Sequence, residues 1–210
     1  MIARAEFRVF GQGLIADVQS RLWNGKTVLQ QMRTMPAEVY FLSRRASGTN
    51  VKVRDELLDI KVRTGVTPEG FEIFEPQGKF QFPVAQDDLA LVAGALGITL
   101  PEPIAASRLV PYDAFLAMAR RHPDLAVVDV EKNRWGFTID GVICEYAQVY
   151  FNGAMIETIC VESDRYSAMP AVIEMLGLSG RVNTNYLTAA ARVVGLSVMD
   201  ETPATSGSSV

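Results

Sequence analysis

Hydrophobic and polar positions alternate with a period of two over much of this chain, most sharply in residues 50–63, NVKVRDELLDIKVR. A two-residue loop at Asp55 and Glu56 puts Lys52, Arg54, Asp59, Lys61 and Arg63 on one side of a hairpin. Val51, Val53, Leu58, Ile60 and Val62 take the other side. The hairpin thus has an apolar face for a core and a face of like charges, which repel at neighbouring strand positions and call for water or an anion. A solvated outer face meets that need in many antiparallel hairpins. Matching charges on other strands would call for a different answer.

The same periodicity predicts the remaining elements. Ala3 to Phe10 alternates as a strand, and Gly11 to Gly13 separates it from a helix with Ile15, Val18 and Leu22 on one face. Glu38 to Arg44 predicts a strand, and Gly70 to Phe82, broken by Pro76 and Gly78, a pair of short ones. Asp87 or Asp88 is placed to cap a helix over LALVAGALG, and Asp113 to open another over AFLAMARRH, with Pro101 and Pro103 setting an extended link between them. Strands follow at Ala126 to Trp135, Phe137 to Ile139, Val142 to Phe151 and Ala154 to Ser163; Asn152-Gly153 between the last two is a type I′ hairpin signal. Helices at Met169 to Leu176 and Tyr186 to Val194 close the pattern. Residues 201–210, rich in Ser, Thr and Gly, are expected to be a disordered tail. Near eight strands, joined mostly as hairpins with helices inserted between them, predict an α+β fold. Its centre is an antiparallel eight-stranded β-barrel, with residues 1–200 as one domain.

Composition narrows the function. The chain has 210 residues, 49% hydrophobic, with a formal net charge of −4. That balance argues against DNA or another general polyanion as partner, so basic features must be local and suited to a small anion in a cleft. No apolar run approaches the roughly 20 residues that span a bilayer, and MIARAEFRVF lacks the apolar stretch of a signal peptide. A cytoplasmic location without membrane association is expected, and homodimerisation is left open. Cys144 and Cys160 have no His or Cys partner at metal-ligand spacing and are expected to be buried thiols. His122, the only histidine, ends a helical run, where a cation is favoured. Trp23, Phe71, Phe74, Phe80 and Phe82 are expected to pack in the core or between helices and barrel.

Three further strands carry charges at strand spacing. Arg4, Glu6 and Arg8 share a face, as do Lys132 and Arg134, and the Asn-Gly loop puts Glu145 on the side of Thr158, Cys160 and Glu162. A closed barrel with these faces inward gathers them into one cavity with an excess of cations, which requires an anionic guest. A chain of phosphates suits it. Arg forks and Lys ammonium groups bind phosphate oxygens, while carboxylates recruit a divalent metal to the same oxygens.

In the order of these parts, residues 2–195 resemble the CYTH domain, or triphosphate tunnel metalloenzymes, which include class IV adenylate cyclases and thiamine triphosphatases. EFRVF is similar to the family's Glu-x-Glu-x-Lys strand, NVKVRDELLDIKVR to its paired basic strands, and EKNRW to its Lys-x-Arg strand. CEYAQV and ICVESD resemble its acidic strands, the latter followed by Leu176-Gly177-Leu178, and TNYLTAAARVVG its closing helix. The resemblance implies phosphate ligands at Lys52, Arg54, Lys61, Arg63, Lys132 and Arg134, and Mg²⁺ or Mn²⁺ held by Glu6, Glu145 and Glu162. Glu6, Lys61 and Glu162 would be the catalytic set. Glu157 is a less suitable alternative to Glu162, because the two-residue loop turns it away from Glu145.

The departures bear on mechanism. Arg8 stands where the motif has its second glutamate, Phe10 where it has lysine, and Cys160 replaces one member of a Glu-x-Glu pair. Phosphoryl transfer in such a site relies on metals bridging phosphate oxygens. The resemblance therefore implies a metal-dependent phosphohydrolase acting on a triphosphate. The alternatives are an adenylate cyclase-like activity or a degenerate module that binds a nucleotide or polyphosphate, with Arg8 as a further phosphate ligand replacing a metal's charge.

Overall fold

The computed structural model describes residues 3–23, 31–99 and 108–197, so the expected link around Pro101 and Pro103 and the expected tail at 201–210 lie outside the described residues. The chain forms β1 (Ala5–Gly11), α1 (Leu14–Trp23), β2 (Gln31–Ser43), β3 (Thr49–Arg54), β4 (Leu57–Val66) and β5 (Glu72–Gln81). After these come β6 (Val84–Ala85), α2 (Gln86–Leu96), β7 (Leu109–Val110), α3 (Tyr112–Arg121) and β8 (Leu125–Ile139). The last elements are β9 (Val142–Phe151), β10 (Ala154–Ser163), α4 (Met169–Met175) and α5 (Tyr186–Val193). Eight antiparallel strands close into a barrel in the order β1-β10-β9-β8-β2-β3-β4-β5, with β5 returning to β1, while β6 and β7 pair separately. The fold is α+β, as the alternation predicts.

Three tight turns set the register. Asn152 and Gly153 have φ of 49° and 82°, Asp140 and Gly141 49° and 80°, and Asp55 and Glu56 50° and 56°. Positive φ at both central residues is what the I′ hairpin needs, because its twist matches that of the strands. The Asp55-Glu56 turn pairs Lys52 with Asp59 and Asn50 with Lys61, so the charged positions of β3 and β4 do share a face.

Several elements depart from expectation. Gly70 to Phe82 is one strand rather than two: Pro76 is accommodated because the β4–β5 register shifts between Ile60 and Lys61. β8 likewise runs unbroken through Gly136. β2 begins seven residues early, with its irregularity between Met35 and Glu38, where Pro36 has no N–H to give the ladder. Asp87, Asp88 and Asp113 make no side-chain caps; α2 and α3 start before them, leaving the carboxylates in the first turn near the positive helix end. Trp23 is 90% exposed rather than packed, whereas Phe71 and Phe82 are buried.

The outer face of the barrel buries its apolar residues under the helices. Val51, Val53, Leu58 and Ile60 pack with Leu89, Val92 and Leu96 of α2 and Phe115 and Ala119 of α3. Phe7, Val9, Val142, Ile159 and Val161 pack with Leu14 and Val18 of α1 and Met169, Val172 and Ile173 of α4. The inner face is divided along its length. Leu42, Val128, Val130, Ala147, Val149 and Phe151 meet Leu187 and Ala190 of α5, which fills that half. The other half holds the charges. Strand alternation continues across the boundary, so β8 presents Val128 and Val130 to the helix and then Lys132 and Arg134 to the cavity.

Asp55 and Glu56 occupy the left-handed region without being glycine, at a cost of about 1 kcal/mol each. Replacing the pair with Asn-Gly is expected to raise the unfolding free energy by roughly 1 kcal/mol; equilibrium urea denaturation measures it, and an unchanged midpoint contradicts it.

Candidate functional site

The charged half of the barrel encloses a cavity of about 280 Å³. Its wall includes Glu6 and Arg8 from β1, Lys52 from β3, Lys61 from β4, Lys132 and Arg134 from β8, Glu145 from β9 and Glu162 from β10. Asn185, Tyr186 and Leu187, at the start of α5, also line it. The structure thus brings together residues spread over more than 150 positions. Arg54 and Arg63 share the inward strand parity but are not in the wall. They are 37% and 33% exposed along the side chain and bonded to Glu38 at 3.3 Å and Glu72 at 2.9 Å. Glu157 faces outward, where its Oε2 accepts the Ile15 N–H at 2.9 Å at the start of α1.

Glu38, to which the strand pattern assigned no role, organises the cation side. It is 2% exposed, and its carboxylate accepts from Lys52 at 2.8 Å, Lys132 at 2.5 Å and Arg54 at 3.3 Å. Burial opposes its ionisation, yet Lys132 and Lys52 outweigh burial and hold the carboxyl below its ordinary 4.5, at about 2. Burial acts on Lys132 in the opposite sense, pushing its ammonium from 10.5 down to about 8 against the pull of Glu38. Lys132 also donates to Tyr40 Oη at 2.9 Å and stands 4.3 Å from the centre of the Tyr186 ring, which lends a desolvated cation further support. β2 lies between β3 and β8, so an acid at position 38 meets cations from both neighbours.

Arg8 organises the acid side. It is 5% exposed and donates Nε–H to Glu6 Oε1 at 2.8 Å, and N–H groups of its fork to Glu145 Oε1 at 3.3 Å and Thr158 Oγ1 at 3.4 Å. Its guanidinium lies 4.4 Å from the centre of the Tyr186 ring. Glu145 is shared, since Arg134 Nε donates to its other oxygen at 2.5 Å. Burial disfavours the Glu6 carboxylate, but Arg8 beside it outweighs burial and holds its pKa below 4.5. Glu162 is opposite Glu6 across β1 and β10, 32% exposed along its side chain, and bonded to Arg4 at 3.4 Å. Cys160 is a buried thiol on the cavity side and Cys144 a buried thiol in the outer core; burial pushes Cys144 up to about 12 and Cys160 well above 9, so neither is a ready nucleophile.

A divalent ion needs oxygen ligands free to converge on it. Glu6 and Glu145 instead converge on the guanidinium of Arg8, and among the described residues no group of three His, Cys, Asp or Glu is arranged to hold a metal. The side chains present do not fit a resident Mg²⁺ or Mn²⁺. They fit an anion, since lysine and arginine donors face a partly desolvated space beside the first turn of α5, whose dipole is positive at that end. Among the described residues no helix is long and apolar enough to cross a membrane.

No protein-family model matches this chain, and no curated protein is significantly similar to it. Solved structures resemble it weakly. A protein from Pyrococcus horikoshii aligns over 89% of this chain and 98% of its own, with 17% identity and a TM-score of 0.46. A candidate adenylate cyclase from Bacillus halodurans aligns over 90% and 96%, with 11% identity and a TM-score of 0.43. A candidate adenylyl cyclase from Hippeastrum, described as having a dominant triphosphatase activity, aligns over 93% and 96%, with 13% identity and a TM-score of 0.43. Likeness at this level carries no functional argument, and the reading of the cavity rests on its own side chains.

Glu38 connects the cavity to stability. Its carboxyl is more acidic folded than unfolded, so its contribution is present above pH 4.5 and lost as pH falls from 4.5 towards 2. Glu38→Gln is expected to cost roughly 3–5 kcal/mol at pH 7, the cost of leaving buried cations unpaired, and to flatten the stability profile in that acid window. Urea denaturation from pH 7 down to 3 tests both; a variant within 1 kcal/mol of wild type would contradict them.

Proposed function

We propose that this protein binds a small phosphate-bearing anion inside its barrel without a resident divalent metal. Lys52, Lys61, Lys132 and Arg134 are its phosphate contacts, and Arg8 supplies positive charge where a metal would otherwise stand. The observation that carries this reading is the position of Arg8, buried among Glu6, Glu145 and Thr158 and bonded to all three. Lys61 supports it as well. It is exposed at the cavity wall and makes no hydrogen bond or ion pair among the described residues, so its three N–H donors are available to a ligand. The order of the charged strands, which resembles that of the CYTH domain, points the same way.

A second reading keeps the metal. Glu6 and Glu162 are paired residues on adjacent strands, and Glu162 is accessible, so a ligand that drew Arg8 aside would leave two carboxylates facing each other. On that reading the protein is a metal-dependent phosphohydrolase acting on a triphosphate, or a cyclase, with Glu6, Lys61 and Glu162 as its working residues. The present bonding of Glu6 to Arg8 favours the first reading.

Calorimetry in EDTA against inorganic phosphate, pyrophosphate and tripolyphosphate separates the two, together with phosphate-release assays in Mg²⁺ or Mn²⁺. Metal-free binding without turnover is expected. Metal-dependent release that Glu162→Gln abolishes would establish the hydrolase, and no binding by any of the three would refute the phosphate reading. Lys61→Ala removes one charge-assisted contact and is expected to weaken binding by about 1.5–3 kcal/mol, read from the same titrations. Affinity is further expected to fall as pH rises through about 8, because the unliganded Lys132 loses its proton there. A flat profile from pH 7 to 9 would remove Lys132 from the site.

A further inference from the structure

Most of the polar groups in the cavity wall are already engaged with one another. Arg8 bonds Glu6 and Glu145, Arg134 bonds Glu145, and Lys52 and Lys132 bond Glu38. Three groups that line the same space have no hydrogen-bond partner among the described residues: the Lys61 ammonium, Asn50 Oδ1 and Tyr186 Oη. A further buried oxygen without a partner, Asp59 Oδ1, has the same strand parity but lies outside the wall.

The placement of these groups decides what they suit. Asn50 is directly opposite Lys61 across β3 and β4, and it shares a face of β3 with Lys52 two positions on. An amide oxygen is thus set between two ammonium groups. The Asn50 and Tyr186 oxygens are both buried. A buried polar atom left unpaired is costly, so a partner for each oxygen is a requirement on the occupant.

Phosphate meets only part of that requirement. An ionised phosphate oxygen accepts hydrogen bonds and gives none, so it satisfies Lys61 and the Tyr186 hydroxyl but sets bare lone pairs against the Asn50 oxygen. A phosphomonoester has a second pKa near 6 and retains little P–O–H at about pH 7.5. Asn50 Oδ1 needs a donor. Lys52 and Lys61 on either side repel an ammonium, which leaves a neutral one. A hydroxyl fits, since it gives its hydrogen to Asn50 Oδ1 and accepts from Lys61.

Resting on the phosphate reading above, we propose that the occupant is a hydroxyl-bearing phosphate ester, of the polyol or sugar phosphate class, with its hydroxyl seated between Asn50 and Lys61. The phosphate uses the spare donors of Lys52, Lys132 and Arg134 and a second N–H of Lys61. A site that pairs a buried polar atom with a ligand hydroxyl discriminates against the analogue lacking it, because the atom is then left unpaired.

The test is calorimetry on the full chain in EDTA at about pH 7.5, with glycerol 3-phosphate, n-propyl phosphate and tripolyphosphate as titrants. n-Propyl phosphate has the same carbon chain without the hydroxyls. Glycerol 3-phosphate is expected to bind at least about fivefold tighter than n-propyl phosphate. A smaller ratio assigns the Asn50 oxygen to water and overturns the inference, and so does binding of tripolyphosphate with glycerol 3-phosphate silent; either result leaves the phosphate reading standing. Silence from all three titrants overturns both. In Asn50→Leu, which removes the acceptor at similar volume, the ratio between the two esters is expected to fall at least about threefold. A ratio that moves less in a variant that melts like wild type overturns the proposal. If that variant does not fold, the ester pair on the wild-type protein decides alone.

Discussion

A carboxylate buried among cations is the interaction on which the rest of this structure depends. Glu38 accepts from Lys52 and Lys132 on the two strands that flank its own, and Arg54 joins from the rim. A closed barrel has no free edge, and its buried inward charges are costly unless they are matched from inside. Glu38 does this for the lysines, and Arg8 does it for Glu6 and Glu145. Once both are in place, half of the interior can be polar while the other half stays dry against α5. The low pKa of Glu38 and the convergence of Glu6 and Glu145 on one guanidinium both follow from that pairing.

Much of this was legible in the sequence, because period-two alternation is a local property. It identified the inward positions of β1, β3, β4, β8, β9 and β10, and the Asn152-Gly153 signal placed Glu145 and Glu162 on one side while turning Glu157 outward. Depth along the barrel is not written in alternation. Arg54 and Arg63 have the right parity but lie at the rim, tied to Glu38 and Glu72. Glu38 itself gave little signal as one acid at the start of an apolar run. Its meaning comes from strand order, which puts β2 between two basic strands that are distant in sequence. The inward parity of Glu38 and Tyr40 on that run was the available clue. Tyr186 and Asn185 were hidden for a similar reason: they come from a helix, and only its docking brings them to the cavity.

Position 8 illustrates how far one side chain sets the electrostatics of a barrel interior. A side chain two residues from Glu6 on a strand points to the same side, so an arginine there must meet that carboxylate. With a base at that point, Glu6 and Glu145 close into an ion-pair network around one guanidinium. Tyr186, stacked near both Arg8 and Lys132, fits this arrangement, since an aromatic face is a favourable neighbour for either cation.

The three two-residue turns also bear on the order in which the molecule assembles. β3 with β4, β8 with β9, and β9 with β10 are joined by near neighbours in sequence, and hairpins of this kind form in roughly 1–10 μs. β1 has no such partner: its pairing with β10 joins residues such as Ala5 and Ser163, 158 positions apart. Closing that seam carries the largest loop entropy in the barrel and belongs late in folding. Until β1 arrives, Glu145 and the lysines of the open sheet remain in water, where their charges are inexpensive. The strand that seals the cylinder is also the strand that brings Arg8 and Glu6, so the interior loses its solvent in the same event that balances its charge.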